Sequence, residues 1–81
     1  MNRIDTLDQL QSTTANILQA FLSTLGNHLI YQISITSTAK DDKGIMQSGK
    51  FATLTMYFLS DFKIKTKIIS FIIGSVDPSK L

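Results

Sequence analysis

The stretch that most constrains this chain runs from Lys50 to Gly74, where two strand-like runs, 51–59 and 63–73, flank Ser60-Asp61-Phe62. In the first run Ala52, Leu54, Met56 and Phe58 alternate with Thr53, Thr55 and Tyr57, the period of a half-buried strand. In the second, Ile64, Thr66, Ile68 and Ile72 alternate with Lys63, Lys65 and Lys67. Opposed residues of an antiparallel pair share a face. Matching even to even therefore leaves 60–62 as a three-residue loop, a common hairpin length. That register sets Met56 opposite Thr66 and Leu54 opposite Ile68 on a core side. It sets Tyr57 opposite Lys65 and Thr55 opposite Lys67 on an open side. A slip by one residue would turn the lysines inward, which favours this register.

The same register makes the open side apolar beyond Lys67, with Ile69, Phe71 and Ile73 in line and Phe71 opposite Phe51. A lone helix covers one face of a sheet. Either the N-terminus, the tail or the long loop folds over this patch, or Phe51, Ile69, Phe71 and Ile73 meet a partner or a second copy. Contiguous exposed apolar area is uncommon on monomers, so the expectation is the second, with a homodimer as its simplest form.

Residues 4–25 read as an amphipathic helix, with Ile4, Leu7, Leu10, Thr14, Ile17, Leu18, Phe21, Leu22 and Leu25 at three- and four-residue spacing. Thr6 and Gln9 match a capping box, and Asp5 and Asp8 suit the positive end of the helix dipole. Gly26 is a natural C-cap, and His28 beyond it reads as a turn or surface histidine. Leu29, Tyr31, Ile33 and Ile35 alternate with Gln32, Ser34 and Thr36, which makes 29–38 a strand with its odd residues inward. Residues 40–49 are charged, with a glycine near each end, and are expected to be a mobile loop. Its functional reading is a recognition loop carried by Lys43, Ile45 and Met46. Residues 75–81, with Pro78, read as a tail. The expectation is one α+β domain over 1–81: an N-terminal amphipathic helix packed on a three-stranded antiparallel β-meander.

Composition narrows the chemistry. The chain has no cysteine and no glutamate, and its single histidine has neither an orienting partner nor companion ligands in view. No disulfide framework, metal site, cofactor motif or catalytic constellation is expected, and the chain is read as non-enzymatic. The glycines at 44 and 49 lack phosphate-loop spacing, and Asp41-x-Lys43-Gly44 lacks the ligands of a calcium loop. The longest apolar run, 68–73, is six residues and includes Ser70, against the roughly 20 that a membrane span needs. No signal peptide is visible, so a cytoplasmic location is expected, without membrane association.

Three functions remain. The first is a protein-binding module acting through the apolar patch, the 40–49 loop or a sheet edge. The second is a nucleic-acid binder using Lys63, Lys65 and Lys67 with Lys50 and Tyr57, because alternate strand residues lie about 7 Å apart, near the phosphate spacing. A net charge of +2 and a single arginine weaken it. The third is a structural subunit whose patch builds a homo-oligomer. The order of one helix and three strands resembles the first part of double-stranded-RNA-binding domains, without their closing helix or motif residues. In size, absence of catalytic motifs and composition rich in Ile, Lys, Ser and Thr, the chain is similar to small phage-encoded inhibitors of host defence, anti-CRISPR proteins among them. That resemblance implies inhibition by occluding a host protein's surface in the host cytoplasm, since a basic chain is no DNA mimic.

Overall fold

The computed structural model describes residues 1–25 and 29–74. Its elements in order are β1 (Arg3–Ile4), α1 (Leu7–Leu25), β2 (Leu29–Lys40), β3 (Met46–Ser60) and β4 (Lys63–Ile73). The class is α+β with an N-terminal helix, as expected, but the sheet has four strands in the order β1-β4-β3-β2. The strands β2, β3 and β4 form the antiparallel meander; β1 adds a short parallel edge, pairing Arg3 with Ile72 and Ile4 with Ile73. Ile4 is therefore a strand residue, buried in the core, and the helix begins three residues later than its apolar stripe suggested.

The helix start is built as its residues dictate. Thr6 Oγ1 accepts the Gln9 amide at 3.1 Å, and Gln9 Oε1 accepts the Asp5 and Thr6 amides at 2.8 and 3.2 Å. Three otherwise orphaned donors are thereby satisfied before the first turn closes. Asp8 lies in that first turn, whereas Asp5 precedes it and pairs with Arg3 at 2.8 Å. Gly26, His28 and residues 75–81 lie outside the described residues.

The central hairpin departs from expectation by one residue. Leu54 faces Ile69, Met56 faces Lys67 and Ala52 faces Phe71, and the turn is the two-residue Asp61-Phe62. Both turn residues have positive φ, 52° and 62°, as a two-residue hairpin of matching twist requires. The slip exchanges the faces of β4. Ile69, Phe71 and Ile73 now turn toward α1, beside the even residues of β3, and Ile64, Thr66, Ile68 and Ile72 turn away.

The core forms accordingly from Ile4, Leu10, Ala52, Leu54, Met56, Phe71 and Ile73, with Ile17, Leu18, Phe21, Leu29 and Ile69 packed against it. Lys65 and Lys67 share this face, at the end where Phe21 packs on Phe58 with ring centroids 6.1 Å apart. The ammonium of Lys67 sits 5.7 Å from the centre of the Phe21 ring, so its stem follows the apolar surface while its charge stays in water.

The connection between β2 and β3 is shorter than the sequence suggested, because pairing continues to Lys40 and resumes at Met46. A bulge between Thr36 and Thr38 bends this pair. Beyond it the Asp41 carboxylate accepts the Lys43 and Ile45 amides, both at 2.9 Å, and the Gln47 side-chain amide at 3.0 Å. These bonds, the Ile45 amide's foremost, hold the Asp41 carboxyl below the usual aspartate range. At Gly44, φ is +79°, and its amide donates to the Asp41 carbonyl at 3.0 Å, closing the tip.

Candidate interaction surfaces

The four residues expected to form an exposed patch do not form one. Phe71 and Ile73 are buried beneath α1, and Ile69 packs against the same cluster. Phe51 lies on the far face but is only 4% exposed. There it borders a shallow cavity of about 530 Å³ with Met1, Asp41, Gln47, Gly49 and Ile72. The Met1 ammonium lies 3.5 Å from the Asp42 carboxylate, tying the N-terminus to the arm formed by the end of β2 and the start of β3. At this end the chain covers its own open face.

The other end of that face is bare. By register, Ile30 adjoins Tyr57 and Thr66, Gln32 adjoins Thr55 and Ile68, and Leu59 adjoins Ile64. None of these eight residues is charged. Ile64, Ile30 and Ile68 are 78%, 73% and 62% exposed, and Tyr57 and Leu59 are exposed as well. Closer to the bulge, the Thr36, Thr53 and Ser70 hydroxyls form a hydrogen-bonded line across three strands, at 3.1 and 3.2 Å. At the tip Phe62 is 98% exposed and held in the left-handed region, which a bulky side chain occupies at a cost of roughly 1–2 kcal/mol. An exposed aromatic in a strained position is a pointer to contact with something else.

The lysine ladder and Tyr57 are not one site. Lys63, Lys65 and Lys67 point to the α1 side, and Tyr57, opposite Thr66, points to the other. Lys50 sits apart, next to the bulge and more than ten residues of strand from the tip. Lys43, Ile45 and Met46 are all exposed around the Asp41 tip, remote in sequence register from Ile64 and Phe62. Of the residues that carry the bare face, Ile64 and Ile68 were missed because the sequence reading assigned the even residues of β4 to the core, whereas Ile30, Leu59 and Phe62, on an open side or in the turn, were not singled out.

A second surface lies between α1 and β2. Leu7, Leu10, Gln11 and Thr14 of the helix and Tyr31, Ile33 and Ile35 of the strand line a groove of about 350 Å³. The helix does not reach across β2, so Tyr31, Ile33 and Ile35 stay 50%, 40% and 42% exposed although their face is the core face. Thr14 is buried and its hydroxyl has no hydrogen-bond partner. A buried hydroxyl left so costs about 1–3 kcal/mol.

Among the described residues, no group of three or more His, Cys, Asp or Glu could hold a metal ion, and no helix is long and apolar enough to cross a membrane. Comparison with protein-family models, curated proteins and solved structures finds no match for the chain.

Proposed function

We propose that this chain is a non-catalytic protein-binding module whose contact surface is the bare end of the open sheet face. The carrying observation is the uncharged set of Ile30, Tyr57, Leu59, Ile64 and Ile68, all exposed, together with the exposed and strained Phe62. Burying such residues yields about 25 cal/mol per Å² of apolar surface, and the turn has already fixed the backbone that presents Phe62. Lys63 and Lys65 flank the same tip on the reverse side. The partner that fits is a protein surface with an apolar depression that takes Phe62 and the uncharged face beside it. Covering that surface is inhibition by occlusion, which is where the likeness to phage-encoded inhibitors belongs.

Affinity capture from a bacterial lysate, with and without nuclease, tests this when the intact chain and its Ile64→Asp variant serve as parallel baits. Discrete proteins held by the intact chain in both lysates and lost from Ile64→Asp support the reading. Retention that disappears with nuclease, or that Ile64→Asp leaves unchanged, overturns it.

A further inference from the structure

The two outer strands of the sheet meet solvent in opposite ways. The free edge of β4 carries Lys63, Lys65 and Lys67, and its far end is closed by β1. Charged side chains and covering strands are how soluble proteins keep a sheet edge from pairing with another. Among the described residues, the free edge of β2 has neither over 29–36: it pairs only with β3, carries no charged residue before Lys40, and reaches its bulge only after Thr36. An eight-residue regular edge without any guard is a template for a further strand.

What would occupy it can be read from its own side chains. An antiparallel copy of β2 centred on Ile33 sets Ile33 against Ile33 and Tyr31 against Ile35 of the second copy, all on the α1 side. The pattern Tyr31-x-Ile33-x-Ile35 is thus complementary to its own reverse. On the other face the same pairing sets Gln32 against Ser34 and Ile30 against Thr36 of the second copy, with no charge brought near another. The half-exposed Tyr31, Ile33 and Ile35 of both copies then fill the grooves beside the two helices. Seven residues pair over about 23 Å.

The geometry points to a second copy of this chain as the occupant of the α1–β2 groove, joined through antiparallel β2 edges into one continuous eight-stranded sheet. The twofold interface is isologous, so it closes as a dimer and does not propagate. The two open faces then lie on the same side of one sheet, a divalent arrangement. The β2 edge surface and the bare open face meet only at Ile30, which borders both, and the residues tested on each, Ile33 and Ile64 or Ile68, belong to one alone, so either assignment can fail without the other.

The test is sedimentation of the full chain across micromolar to hundred-micromolar concentrations, with Ile33→Lys and Ile68→Lys as variants. The expected result is a concentration-dependent dimer that Ile33→Lys shifts to monomer, by at least a hundredfold in dissociation constant, and that Ile68→Lys leaves unchanged. Because Ile33→Lys could also disturb folding, a second variant serves as a positive probe. The chain lacks cysteine, so Ile33→Cys introduces its sole thiol at the twofold centre, and mild oxidation is expected to yield covalent dimers far faster than Ile68→Cys does. A monomer at every concentration overturns the inference. So does a dimer broken by Ile68→Lys alone, which would place the second copy on the open face, or preferential cross-linking of Ile68→Cys.

Discussion

Replacing Phe71 by alanine, with Ile68→Thr as its control, tests the hairpin register directly. Phe71 is 2% exposed, faces Ala52 across the ladder and packs in the cluster of Ile4, Leu10 and Ile73. Its neighbour across the ladder is only a methyl group, so no side chain there can swing in to fill the space. Truncating a buried phenylalanine in such a site costs about 3–5 kcal/mol, transfer and cavity terms together. An 81-residue domain has a total stability of roughly 4–12 kcal/mol. Phe71→Ala should therefore lose a large part of its folded population. Ile68 faces Thr55 on the opposite side and is 62% exposed. Ile68→Thr keeps the β-branch and should cost no more than about 1 kcal/mol. Urea unfolding followed by far-ultraviolet circular dichroism at one fixed protein concentration measures both, the m-value showing that each unfolds as the parent does. In the alternative register, with a three-residue loop, Phe71 turns outward and Ile68 inward, and the two costs exchange. A larger loss for Ile68→Thr than for Phe71→Ala would refute the register and the core built on it.

Phe62→Gly should raise stability by about 1 kcal/mol, because glycine takes the left-handed turn position without a Cβ penalty; a lower melting temperature would contradict the strain argument. Thr6→Ala and Gln9→Ala should each cost about 1 kcal/mol, and the double variant less than their sum, since the two side chains serve one cap; strict additivity in thermal unfolding would count against the reciprocal bonds. The Asp41 carboxyl is held down by amides that it binds only in the folded arm, so its contribution is present above the unfolded value and is lost as pH falls through the lower folded one. The Lys43 and Ile45 amide resonances should accordingly shift together on acidification, with a midpoint below the ordinary aspartate value of 3.8; a midpoint at or above it would refute those hydrogen bonds.

The parts of the fold legible in the sequence were those with a local cause. The capping box from Thr6 to Gln9, the apolar stripe of α1 and the alternation through Ile33 each follow from neighbours within a few residues. The register was illegible for two physical reasons. Lysines are barred from the core face only where the helix covers it, and here Lys65 and Lys67 lie toward its Phe21 end, where the Lys67 charge reaches water along aromatic surface. The turn hid as well. Asp61-Gly or Asn-Gly would have announced a two-residue hairpin, whereas Phe62 in a left-handed conformation carries no such signature. Once Phe62 is counted in the turn and Ser60 in the strand, Phe71 and Ile69 move to the core without further assumption. The two-residue β1 is beyond any periodicity, because Ile4 fits a helical stripe as well as it fits a strand. Likewise the reach of β2 and β3 to Lys40 and Met46 depends on one carboxylate closing the tip.

The distribution of apolar residues links stability to association. Nine apolar residues are buried, two of them alanine, while fourteen large ones are exposed among the described residues. A chain of this length builds a marginal core even when its apolar residues face inward. Here several sit along the β2 edge and the bare face instead, so the single chain leaves their apolar surface in water. If the second copy covers that surface along β2, each tenfold rise in protein concentration above the dissociation constant should add about 1.4 kcal/mol to unfolding of the dimer. The melting temperature should then climb with concentration in the parent and stay constant in Ile33→Lys. A concentration-independent parent would mean that the small core suffices alone, and the unguarded edge would then need a partner other than the chain itself.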